Sequence, residues 1–296
     1  MHRIHLRTLT CLAAMLANIA VITAVITDEA AAQQSKRAKT PTWVVAKATT
    51  SRAARKDAIR SLPVSKLSPA DRALVADVVD HASMFRRMPI QVNHCDPQMY
   101  DFLVRNPEVI VNIWKKMGIA SVTMQQTGIG TYRTADGKGT SCDVRILAAN
   151  HNTHLIYADG GYQGALVRKP VRGKCVMLLK SGHVRETDGK YYVTSRMDVF
   201  IKVEHAGLDL LTKAFQPLLG KNADMNFIEA AAFIGRVSRT AERNPDGLQR
   251  LTDRLTDVSP EVRQRFSRLA DEVSQRAEQR YAAQRTTYKA PVSAPR

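Results

Sequence analysis

The stretch Lys174–Glu204, KCVMLLKSGHVRETDGKYYVTSRMDVFIKVE, alternates in side-chain character on both sides of a turn signal. In its first half Cys175, Met177, Leu179, Ser181 and His183 share one side. Asp188-Gly189 is a hairpin-turn dipeptide. Beyond it Tyr191, Val193, Met197, Val199, Ile201 and Val203 share a face, and Arg196, Asp198, Lys202 and Glu204 take the other. The pattern predicts two long antiparallel strands with one buried and one wet face.

The same period of two extends upstream. Met88, Ile90 and Val92 alternate, as do Val122, Met124 and Gln126, then Thr131 to Thr134. Asp136-Gly137 marks another hairpin before Cys142, Val144, Ile146 and Ala148. Asn150 to Thr153 reads as a turn into the strand Leu155-Ile156-Tyr157, and Gly160-Gly161 and Gly164 as a loosened segment.

Helical spacing flanks this β region. Ser68-Pro69-Ala70-Asp71 has the residues of a helix start, and Leu74, Val75, Val78, Val79, Ala82 and Phe85 continue it to about Arg86. Asp96-Pro97 and Asn106-Pro107 open two short helices, the second stopped by Gly118. Downstream, Leu208 to Leu219 is helical in period, and a longer helix carries Phe227, Ile228, Ala231, Ile234 and Val237. Leu248–Leu255 and about Glu261–Ala283 complete the helices. The narrow apolar stripe of the last fits one partner, either a neighbouring helix or a dimer seam.

The order of strand, two short helices, about six antiparallel strands and long helix over residues 88–240 resembles the helix-grip superfamily, which includes START-like lipid-transfer and polyketide cyclase-like proteins. The junction Val203-Glu204-His205-Ala206-Gly207-Leu208 resembles the passage from last strand to helix, without the Asp-Pro and later Pro often found there. The resemblance implies an α+β fold: a curved antiparallel sheet of six or seven strands wrapped around a long C-terminal helix, plus extra C-terminal helices. It also implies a cavity between them. The sheet would line it with Met124, Ile146, Met177, Leu179, Met197, Val199 and Ile201, and the helix with Phe227, Ala231 and Ile234. Tyr157, His183 and Tyr191 would be its polar members. The same residues also fit a filled core.

Catalytic patterns are sparse. His151-Asn152-Thr153-His154 has H-x-x-H spacing but sits at a turn without further ligands, so no metal or cofactor is expected. His94-Cys95-Asp96 lacks the setting of a nucleophile, because Asp96 serves better as a helix cap. Gly128-Ile129-Gly130 lacks the third glycine of a dinucleotide fingerprint. Cys142 and Cys175 share a strand face and fit either a disulfide or, preferably, two small buried apolar residues.

The chain of 296 residues carries a formal net charge of +17 and is 44% hydrophobic, which excludes a disordered or collagen-like chain. Its first 32 residues have the layout of a signal peptide: Arg3 and Arg7, the apolar run Leu12–Ile26, then Ala30-Ala31-Ala32. Cleavage near Ala32 predicts an exported protein, periplasmic or secreted; retention would leave it membrane-anchored. Residues 33–70 hold nine Lys/Arg and one acidic residue, Asp57. Residues 33–66 thus read as a solvated basic linker or, alternatively, as an arm that meets an anionic membrane or envelope polymer, and no specific nucleic acid is expected. The organisation expected is a signal peptide (1–32), flexible basic linker (33–67), amphipathic helix (68–87), α+β domain (88–243), C-terminal helical extension (244–284) and disordered tail (285–296). The leading functional reading is an exported non-enzymatic binding protein for a lipid-like or other hydrophobic ligand. The alternatives are a structural or interaction protein of the cell envelope with a solid core, and a cyclase- or hydrolase-type enzyme.

Overall fold

The computed structural model describes residues 43–163, 170–204 and 221–288. The segment expected to be a signal peptide, the first part of the expected basic linker, Gly164, the helix expected over Leu208–Leu219 with residues 205–207 before it, and residues 289–296 lie outside the described residues.

The fold is α+β, built on one open, wholly antiparallel nine-stranded sheet. The strands are β1 (Trp43–Ala46), β2 (Met84–Arg87), β3 (Ile90–His94), β4 (Thr123–Gly128), β5 (Thr131–Ala135), β6 (Thr140–Ala149), β7 (Thr153–Tyr162), β8 (Val171–Arg185) and β9 (Tyr191–Glu204). Their order is β1-β3-β9-β8-β7-β6-β5-β4, and β2 pairs with the far half of β9. The Lys174–Glu204 hairpin forms as its pattern requires, with Met177 opposite Val199 and Leu179 opposite Met197. Two strands exceed expectation. β1 lies in the supposed linker, and β2 replaces the end of the helix expected to reach Arg86.

Seven α-helices are described: α1 (Arg52–Arg60), α2 (Pro69–Asp80), α3 (Pro97–Arg105), α4 (Pro107–Lys116), α5 (Lys221–Arg243), α6 (Pro245–Asp253) and α7 (Pro260–Tyr288). Local chemistry sets their starts. Ser68 Oγ accepts from the Asp71 amide, and Asp96 Oδ1 from those of Gln98 and Met99. Asn106 instead donates its side-chain amide to the Phe102 carbonyl, closing α3. Residues 43–67 are therefore no flexible linker in their described part: Ala54, Ala58 and Leu67 are buried, and α1 is docked on the sheet. Residues 285–288, expected in the tail, continue α7.

Helices cover both faces of the sheet. On the front, Met124, Tyr132, Cys142, Val144, Cys175, Met177, Met197, Val199 and Ile201 pack with Ala223 and Phe227 of α5. The rest of α5 joins α3, α4, α6 and α7 in a second core, where Phe102 stacks on Phe266 and Trp114 meets Phe233 edge-on. The extension at 244–284 is thus packed against α3 and α4, which lie between β3 and β4 in the chain.

The back face is not wet. Phe85, Leu155, Tyr157, Val176, Leu178 and Phe200 are buried there under α1 and α2. Asp198, expected in water, is fully buried, and Lys202 pairs with Asp77 of α2 at 2.6 Å. The cause is the continuous apolar run Cys175 to Leu179, which buries both sides of β8 as in a two-sided sheet. At the β6–β7 pair, Gly160 permits close approach: a Cβ there would lie 2.8 Å from the Ser141 carbonyl oxygen. Gly160 and Gly161 thus belong inside β7 and form no loose segment.

Candidate functional site

The sheet brings together most of the residues expected to line a cavity. Met124, Met177, Leu179, Met197, Val199, Ile201 and Phe227 share one buried cluster, with Ile146 against it. They contact one another and Met88, Val111, Val122 and Tyr132, which is the geometry of a packed core.

The remaining candidates lie elsewhere. Tyr157 faces the back core, because its alternation phase is opposite to that of Ile156 and Ala158. Ile234 belongs to the all-helical core, since α5 runs past the sheet before reaching it. Ala231 is buried on α5. His183 is exposed where β8 projects beyond its helical cover, and Tyr191 is half-buried with the Arg185 guanidinium over its ring.

A groove of about 590 Å³ lies at that projecting end, between β3 and the β8–β9 hairpin. Val92, Val184, Tyr192 and Thr194 form its floor, and Glu186, Thr187 and Asp188 its rim. Register accounts for the floor, since Val92 is opposite Thr194 and Val184 opposite Tyr192. The turn holds the rim. Gly189 adopts φ +76, its amide donates to the Glu186 carbonyl, and the Glu186 amide donates to the Lys190 carbonyl. The Lys190 ammonium beside Asp188 holds that carboxyl below its usual range. Gln284 of α7 donates to the Asp188 carbonyl at 2.7 Å, bracing the turn. Glu186 is exposed, with no cation within ion-pair distance among the described residues. The groove therefore combines aliphatic side chains, an aromatic ring, hydroxyls and carboxylates, and suits an amphiphile with a hydrogen-bond-donating head.

Sequence reasoning missed this groove because it assigned Tyr191 inward and left the opposite phase to solvent. It also missed two buried ionisable groups near α3. His154 is fully buried, 3.6 Å from Asp101, with neither ring nitrogen hydrogen-bonded. Burial, then the Arg105 charge, lowers its pKa to about 4, while its partner in the H-x-x-H pattern, His151, is exposed. Glu108 in the first turn of α4 is 1% exposed, and both its oxygens lack a hydrogen-bond partner. Burial pushes its carboxyl up to about 7. The Tyr132 hydroxyl beside it donates instead to the Arg105 carbonyl, at 3.0 Å.

Cys95, Cys142 and Cys175 are buried free thiols whose pKa values burial raises. Among the described residues no group of three His, Cys, Asp or Glu is placed to hold a metal ion, and no helix is long and apolar enough to cross a membrane. No known protein-family model matches the chain, and no curated protein matches it either.

Proposed function

We propose that the chain is an exported, non-enzymatic binding protein of helix-grip type that takes its ligand at the β8–β9 groove and not between sheet and helix. The observation that carries this reading is the groove itself, about 590 Å³ with convergent apolar and polar walls. That volume falls within the range typical of small-molecule sites. Val92, Val184 and the Tyr192 ring suit an alkyl chain, and the Glu186 carboxylate suits an ammonium head, Asp188 being engaged by Lys190. The helix-grip description draws support from Ala223 and Phe227 of α5 packing on the front of the sheet.

The test uses N-dansyl-1,10-decanediamine, an ammonium-headed probe, beside a dansylated fatty acid. Saturable binding of the amine probe is expected, weakened at least tenfold by Tyr192→Ala and Glu186→Gln. The fatty-acid probe should bind more weakly. Probe binding that survives Tyr192→Ala but disappears in Met197→Trp would return the site to the interior.

A further inference from the structure

We propose that α1 is a docking surface for anionic lipid, separate from the groove and independent of it. The helix reads RAARKDAIR and has two unlike faces. Ala54 and Ala58 face the sheet and are buried. Arg52, Lys56, Ile59 and Arg60 recur at i, i+4, i+7 and i+8, so they form one outer stripe, and all four are exposed. Val64 and Lys66, in the short 3-10 turn that follows, are exposed as well.

The charges of α1 divide by direction. Those turned inward are used by the fold: Arg55 donates to the Val79 carbonyl at 3.0 Å, and Asp57 meets Arg87 at 2.7 Å and Arg196 at 3.3 Å. Asp57 is the sole acidic residue of the helix, and it is committed to the sheet. Among the described residues no carboxylate lies within ion-pair distance of Arg52, Lys56, Arg60 or Lys66. The outer stripe therefore presents cations that no described carboxylate contacts, on a helix pinned by its inner ion pairs.

Two aliphatic side chains among those cations select the partner. Ile59 is 39% exposed and Val64 37%. A hydrophilic polyanion gains nothing from them, whereas a lipid interface takes cations at the headgroups and apolar side chains just below. Pre-anchored on the sheet, α1 needs no folding on contact, so little ordering cost opposes adsorption.

The test is co-sedimentation of the full-length protein with vesicles of phosphatidylcholine containing 30% phosphatidylglycerol, against phosphatidylcholine alone. Binding to the anionic vesicles alone is expected, falling steeply with salt. The triple variant Arg52→Gln/Lys56→Gln/Arg60→Gln should lose about 100-fold in affinity, from roughly fivefold per cation near such a surface. Ile59→Ser/Val64→Ser should weaken vesicle binding several-fold while binding to heparin stays as it was. The control Arg250→Gln/Arg254→Gln, exposed on and just after α6, should change little. Equal vesicle binding by wild type and triple variant, each with an unchanged circular-dichroism spectrum, overturns the proposal. So does a triple variant that loses heparin and vesicle binding alike, with no effect of the aliphatic pair, which assigns the stripe to an anionic polymer.

Discussion

The Arg87 guanidinium lies 2.6 Å from the Asp198 carboxylate, where β2 and β9 are register partners. The same guanidinium reaches Asp57 of α1 at 2.7 Å and the Ala54 carbonyl at 3.2 Å. One side chain thus joins the centre of the sheet to the helix on its back. Asp198 is fully buried, so removing it alone leaves Arg87 undercompensated. Asp198→Ala is expected to destabilise the fold by about 3–5 kcal/mol in chemical denaturation. A loss below about 1 kcal/mol would show that Asp57 alone is enough to compensate Arg87.

Glu108 makes stability fall as pH rises. Its carboxyl titrates near 4.5 when unfolded and at about 7 in the fold. Between those values the folded chain keeps a proton that the unfolded chain has released, so the folded state loses ground until the decline levels off above the upper value. The total is roughly 3 kcal/mol at 1.4 kcal/mol per pKa unit. Glu108→Gln should flatten this decline in urea titrations across that window. Parallel profiles for variant and wild type would contradict it.

His94 and His154 act in the opposite sense. Burial lowers each from 6.5 to about 4, with Arg239 and Arg105 respectively adding repulsion. The unfolded chain binds protons that the folded chain refuses, so this contribution is present above the unfolded value and lost as pH falls toward the folded one. His154→Gln should therefore be less sensitive than wild type to a shift from pH 7 to about pH 4.5. An identical acid limb in both proteins would assign acid unfolding to other groups.

Met197 tests the packing of the front core. Its neighbours leave it 7% exposed. Met197→Trp is expected to overpack and cost about 1–3 kcal/mol, and Met197→Asp several kcal/mol more. Unchanged stability of the Trp variant would reveal space behind the sheet and favour an interior ligand.

Much of this architecture is legible in the sequence, for reasons that identify the failures too. The Lys174–Glu204 hairpin reads clearly because alternation and Asp188-Gly189 agree. α2 and α3 read clearly because Ser68-Pro69 and Asp96-Pro97 are local cap signals. The back layer was hidden because α1 is held by Ala54 and Ala58, whose small size contributes little apolar period among so many charges. Phe200 and Leu178 carried a clue, since apolar residues in both alternation phases ask for cover on both faces. The groove had no comparable signal, because Val92 of β3 and Val184 of β8 are brought together only by pairing on opposite sides of β9. Nor did Glu108, whose place after Pro107 reads as an ordinary acidic first turn.

The most direct measurement is amide chemical-shift mapping of the labelled protein titrated with N-dansyl-1,10-decanediamine. The expected result is saturable shifts confined to Val92, Val184 to Asp188, Tyr192 and Thr194. Shifts at Met124, Met177, Met197 and Phe227, with the groove silent, would contradict the account.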